Sequence, residues 1–63
     1  MKVLIVDDEK LIRDVIKTYC LNEGYQVNEA SNGIEALNIL NKKSVDVIVL
    51  DIMMPKTNYT YSV

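Results

Sequence analysis

The sequence contains no histidine and a single cysteine, Cys20. Without histidine, the common zinc sites and the histidine-dependent nucleophilic triads are excluded. A lone cysteine closes no intramolecular disulfide, and a cysteine-poor chain fits a reducing compartment. Long apolar runs are missing too. Val3–Val6 and Val47–Leu50 are the longest, far short of the ~20 residues that span a bilayer. The run at Val3 is also too short for a signal-peptide core and ends in two acids, so the chain reads as cytoplasmic, with no membrane partner. Basic charge is scarce: seven Lys and Arg face nine Asp and Glu, for a net charge of −2. That balance leaves no basic surface for nucleic acid. The four tyrosines are scattered and form no stacking platform. Glycine is absent from the turn after Val6, which excludes a glycine-rich phosphate cradle there.

What remains is a short chain with an apolar fraction too high for disorder. With 63 residues, 49% of them hydrophobic, it builds one small core at most. Val3–Val6 is apolar throughout and reads as a strand buried on both faces, closed by Asp7-Asp8. Ile12, Val15, Ile16 and Tyr19 recur at helical spacing and predict a helix over Glu9–Asn22, with Gly24 as its left-handed terminator. Tyr25–Ala30 alternates and predicts a second strand. Asn32-Gly33-Ile34-Glu35 resembles a capping box, and Ile34, Leu37 and Leu40 give the apolar face of a second helix ending near Lys42-Lys43. Val45–Leu50 predicts a third strand with Asp46 on its exposed side. Asp51 ends that strand and Met54-Pro55 stops it.

The order is therefore βαβαβ. Right-handed crossovers, with a reversal after the second strand, place strand 1 between strands 2 and 3 of a parallel sheet. Ligands of such sheets sit at the carboxyl ends of the strands, at the switch point. Asp7 and Asp8 end strand 1 and Asp51 ends strand 3, so three carboxylates converge there. Two carboxylates ~5 Å apart repel by ~3 kcal/mol at an effective dielectric of ~20, so a cation or a proton is needed. Oxygen ligands without His or Cys select Mg²⁺ or Mn²⁺. Mg²⁺ held by carboxylates suits phosphoryl transfer. Asp51, alone at its strand end, is the candidate nucleophile, and the paired Asp7 and Asp8 are the candidate metal ligands. The competing reading makes Asp8 or Glu9 a simple helix cap or a partner of the helix dipole. Cys20 reads as a partly buried helix residue, and Met53 and Met54 as packing residues.

Lys2-Val3-Leu4-Ile5-Val6-Asp7-Asp8-Glu9, Gly24-Tyr25-Gln26-Val27, Ala30-Ser31-Asn32-Gly33-Ile34-Glu35-Ala36-Leu37 and Asp46-Val47-Ile48-Val49-Leu50-Asp51-Ile52-Met53-Met54-Pro55 closely resemble the receiver domain of bacterial two-component response regulators. The resemblance covers residues 2–56. It implies a flavodoxin-like sheet in which Asp51 accepts a phosphoryl group from the phosphohistidine of a sensor histidine kinase. It implies Mg²⁺ bound directly by Asp8, Asp51 and the Met53 carbonyl, with Asp7 acting mainly through water. The chain is then a phosphoryl acceptor and not a classical enzyme.

The resemblance stops after Lys56. Asn58 and Tyr59 stand where the family usually has Asp-Gly. Residues 1–56 thus read as the N-terminal half of a receiver and 57–63 as a divergent tail, the whole looking like a truncated or frame-altered product. The hydroxyl residue and the lysine that contact the phosphoryl group in the family have no counterpart here. In half a receiver, strand 3 becomes an apolar edge, which predicts a homodimer or higher oligomer paired through that edge. Two functions follow: a phospho-accepting receiver fragment, or a signalling-inactive half-domain that only self-associates. A strand-end aspartate phosphatase fits less well, because that chemistry usually has a second Asp where Met53 stands.

Overall fold

An apolar residue at every position from Val3 to Val6 needs cover on both sides of the strand, and the structure supplies it. In the computed structural model, which describes residues 1–50, β1 (Lys2–Val6) is followed by α1 (Lys10–Asn22), β2 (Gln26–Ala30), α2 (Gly33–Lys42) and β3 (Val47–Leu50). The three strands form one sheet in the order β2-β1-β3. Both pairings are parallel, with Val3 opposite Val27 and Val47, and Ile5 opposite Glu29 and Val49. This is the βαβαβ arrangement of a flavodoxin-like sheet, with the expected strand order.

Strand alternation splits β1 between two cores. Val3 and Ile5 pack with Cys20 of α1, together with Ile16, Tyr25, Val27 and Val49. Leu4 and Val6 pack with Ala30 and with Ala36 and Ile39 of α2, together with Val45. Leu4 and Ile5 are fully buried. Each is worth at most ~1.5–3 kcal/mol of hydrophobic stabilisation, since the unfolded chain already hides some apolar surface.

The turn after α1 follows the expected chemistry. Gly24 takes a φ of +84°. The Tyr25 N–H donates to the Cys20 carbonyl at 3.0 Å and the Gly24 N–H to the Leu21 carbonyl at 3.0 Å, which closes the helix in a Schellman motif. Cys20 is buried against β1, as a packing residue.

Four sequence expectations are corrected. First, the core-facing line of α1 is Ile16 and Cys20, while Val15 and Tyr19 are 69% and 63% exposed and Ile12 is at the margin. Second, α2 turns Ala36 and Ile39 to the sheet and leaves Ile34 and Leu37 exposed. In both helices the apolar stripe is wider than the surface the sheet offers it. Third, β3 starts at Val47, two residues later than expected, because the Asp46 side chain and N–H bond the backbone of Lys2 ahead of the strand. Fourth, the cap of α2 is not a fully reciprocal box. The Asn32 side chain accepts from the Glu35 N–H at 2.9 Å, but Glu35 Oε1 accepts from the Ser31 N–H and hydroxyl at 2.8 and 2.9 Å.

Among the described residues β3 is an edge strand, with Val47, Ile48 and Leu50 exposed. Successive helix residues turn by about 100°, so Arg13 and Lys17 lie on one flank of the buried line of α1, and Ile12, Val15 and Tyr19 on the other. Arg13 and Lys17 both pair with Glu29 of β2. The apolar flank therefore faces the β3 side of the sheet. No helix of the described residues is long and apolar enough to cross a membrane.

Candidate functional site

Asp7 leaves the carboxyl end of the central strand and is only 4% exposed. Its bonds fix it from several directions. The Asp7 N–H donates to the Ala30 carbonyl at 3.1 Å, extending the β1–β2 pairing by one residue. Asp7 Oδ1 accepts from the Glu9 N–H at 2.8 Å. The Asp7 carbonyl accepts from Arg13 Nη1 at 2.7 Å. Among the described residues Asp7 Oδ2 is buried with no hydrogen-bond partner. A buried carboxylate oxygen without a donor is costly unless a cation or water meets it.

Asp8 is exposed beside it. The competing reading of Asp8 or Glu9 as a side-chain cap is not met. Glu9 occupies the N-cap position of α1 in an extended conformation but makes no capping bond with its side chain. Asp7 Oδ1 instead accepts from the N–H of Glu9 itself, which is not one of the N2 and N3 donors that a side-chain cap satisfies. The Asp8 carboxylate accepts no hydrogen bond among the described residues, which leaves its oxygens available.

Asp51 and Met53, the expected phosphoryl acceptor and carbonyl ligand, lie outside the described residues, as does the tail 57–63. What the structure does fix is the register that leads to Asp51. Val6 and Leu50 are strand partners, and each is followed in sequence by an aspartate. Among the described residues no third acidic, cysteine or histidine side chain joins Asp7 and Asp8. An all-oxygen donor pair with one orphaned buried oxygen fits a hard divalent cation.

Sequence reasoning missed a second cluster beside the acid pair. Glu29, on the α1 face of β2, meets Arg13 Nε at 3.2 Å through Oε1 and Lys17 Nζ at 3.0 Å through Oε2. The Lys17 ammonium, helped by Arg13 and opposed by partial burial, holds the Glu29 carboxyl below its ordinary value. The signal was present. Strand parity puts Val27 and Glu29 on one face, and Arg13 and Lys17 are one helical turn apart. Glu35 is held low as well, by the backbone N–H of Ser31 first and its hydroxyl second.

The comparisons with known proteins agree with this geometry. Residues 3–58 match the family described as the response regulator receiver domain. A probable transcriptional regulator ycf27 of Guillardia theta is 54% identical over 55 residues, covering 87% of this chain and 22% of the relative. The corresponding protein of Cyanidium caldarium is 52% identical over 54 residues, covering 86% and 22%. The response regulator SaeR of Staphylococcus aureus is 48% identical over 56 residues, covering 89% and 24%. The chain thus spans less than a quarter of the length of these relatives. A match over residues 3–58, on a parallel βαβαβ sheet whose central strand ends in paired aspartates, places this chain in the response regulator receiver domain family.

Proposed function

We propose that this chain is the phosphoryl-accepting part of a response regulator, with Asp51 as acceptor and a sensor histidine kinase as donor. The observation that carries it is Asp7, whose Oδ2 is buried and unpartnered among the described residues while its other polar groups are bonded. Asp7, Asp8, Asp51 and the Met53 carbonyl would hold Mg²⁺. Bound there, the cation would neutralise charge on the phosphoryl oxygens. A carboxylate oxygen of Asp51 attacks phosphorus, and the bond from phosphorus to the donor's leaving group breaks. Asp7 is held by Ala30, Glu9 and Arg13, so it needs little rearrangement to meet the cation. The register of Val6 with Leu50 supports bringing Asp51 beside that pair.

Intact mass after incubation with acetyl phosphate and Mg²⁺ tests this reading. One added phosphoryl group, dependent on Mg²⁺ and lost in Asp51→Asn, supports it. No added mass in a folded sample overturns it.

The exposed edge favours a second reading, self-association. Val47, Ile48 and Leu50 of β3 and the flank of α1 are uncovered. Among the described residues β3 is an apolar edge strand, which invites a second copy, and a two-fold axis beside it would give a six-stranded sheet with antiparallel pairing at its centre. In this reading the chain is an inert, self-associating module that tolerates Asp51→Asn. Sedimentation across a concentration series should show a dimer or larger assembly, weakened by Val47→Lys on the edge. A monomer at every concentration overturns it.

A further inference from the structure

Asp7 is held through its carbonyl by a residue outside the acid pair. Arg13 is only 16% exposed, unusual for an arginine on the first turns of a short chain's helix. It reaches in two directions at once. Nη1 donates to the Asp7 carbonyl at 2.7 Å and Nε donates to Glu29 Oε1 at 3.2 Å. The Asp7 carbonyl belongs to the peptide unit that carries the Asp8 N–H, so anchoring that oxygen sets the plane leading into Asp8. The planar guanidinium suits this task because its donors are fixed relative to one another.

The charge arrangement points the same way. A bare guanidinium next to an anionic pair would compete with a cation for it. Glu29 lies against Arg13 and offsets that charge, while Lys17 supports Glu29 from the far side. Arg13 thus supplies geometry to the acid pair with much of its charge spent on β2.

We propose that Arg13 is a positioning residue for the strand-end acid pair, locking the Asp7–Asp8 peptide so that the two carboxylates meet one divalent cation in a fixed relative placement. The proposal rests on the reading of Asp7 and Asp8 as cation ligands. Lys17 provides a matched control, since it makes the same α1–β2 bridge through Glu29 without touching Asp7.

The test is Mn²⁺ titration, followed by electron paramagnetic resonance, of the 63-residue chain and its Arg13→Lys and Lys17→Met variants. Amide hydrogen exchange of Glu9, whose N–H is bonded to Asp7 Oδ1, is measured in parallel. Arg13→Lys keeps the charge and loses the fork. It should weaken Mn²⁺ about tenfold, as removal of a ligand's supporting partner does, and speed Glu9 exchange. Lys17→Met, which loses only a half-exposed ion pair, should stay within about twofold and leave Glu9 exchange unchanged. Equal losses in the two variants overturn the proposal and make Arg13 a simple tether. If the unaltered chain binds no Mn²⁺, the metal reading falls, and Arg13 is judged on Glu9 exchange alone, where no change overturns it. Should Arg13→Lys fail to fold, Mg²⁺ titration of the unaltered chain decides. Nuclear magnetic resonance signals of the Arg13 guanidinium and the Glu9 amide that shift together support the proposal, and a silent Arg13 overturns it.

Discussion

Asp46 and Lys2 hold each other through two hydrogen bonds. The Lys2 N–H donates to Asp46 Oδ2 at 2.8 Å, and the Asp46 N–H donates to the Lys2 carbonyl at 2.8 Å. This ring precedes the four residues of β3 and sets their register on β1. Asp46→Ala should therefore lower stability by about 1 kcal/mol, the usual worth of such a bond. Asp46→Asn keeps an acceptor and should lose less. Urea unfolding of the three proteins measures the difference, and equal midpoints for Asp46→Ala and the unaltered chain would contradict the assignment.

Gly24 gives a prediction free of packing. Its φ is +84° and a Cβ added there meets nothing within 4 Å. Gly24→Ala should thus lose only the backbone preference, about 1–2 kcal/mol for an L-residue in the left-handed region. Gly24→Asn should lose less, because asparagine visits that region more readily. Thermal unfolding of the pair separates this from a steric cause, which would make the larger Asn the worse substitution.

The carboxyls of Glu29 and Glu35 are both held below their ordinary value of 4.5. A group whose folded pKa is depressed stabilises fully above the unfolded pKa, and that contribution is lost as pH falls through the folded pKa. Acid should therefore weaken the fold from about pH 4.5 downward. The stability gap between the unaltered chain and Glu29→Gln should be constant near neutrality and close in that window. For Glu29 the lost contact is chiefly with Lys17, and for Glu35 it is with the Ser31 backbone. A gap that persists unchanged to pH 3 or so would assign the Glu29 effect to packing.

Most of the fold was legible because the local signals agreed. Val3–Val6 is apolar throughout and so needs cover on both faces, right-handed crossovers with a reversal made it the central strand, and Gly24 marked the turn. The apolar faces of the helices were misjudged for a physical reason. Periodicity finds every apolar residue on a stripe, whereas the sheet covers only the part that fits: Ile16 and Cys20 in α1, Ala36 and Ile39 in α2. Val15 and Leu37 belong to the same stripes and stay exposed. The acid pair was legible from its place after β1. The clamp on it was not, because Arg13 and Glu29 are sixteen residues apart and meet only through the fold. Glu35 was expected to satisfy the cap of its own helix and instead satisfies the residue before it, Ser31, a choice set by loop geometry.

The orphaned oxygen of Asp7 yields a prediction in which the order of two proteins reverses. Without metal, Asp7 Oδ2 is buried and lacks a partner among the described residues. Asp7→Asn keeps the Oδ1 acceptor for the Glu9 N–H and replaces the buried carboxylate by a neutral amide, which is cheaper to bury even when imperfectly bonded. In chelator the variant should be more stable than the unaltered chain, by about 1 kcal/mol. Added Mg²⁺ binds the folded state of the unaltered chain and raises its stability with concentration, whereas the variant, short of one anionic ligand, gains little. At sufficient Mg²⁺ the unaltered chain becomes the more stable of the two. Thermal unfolding of both proteins across a Mg²⁺ series reads this crossing directly. A variant that is less stable in chelator, beside an unaltered chain indifferent to Mg²⁺, would make Asp7 a structural turn residue whose second oxygen is satisfied by water.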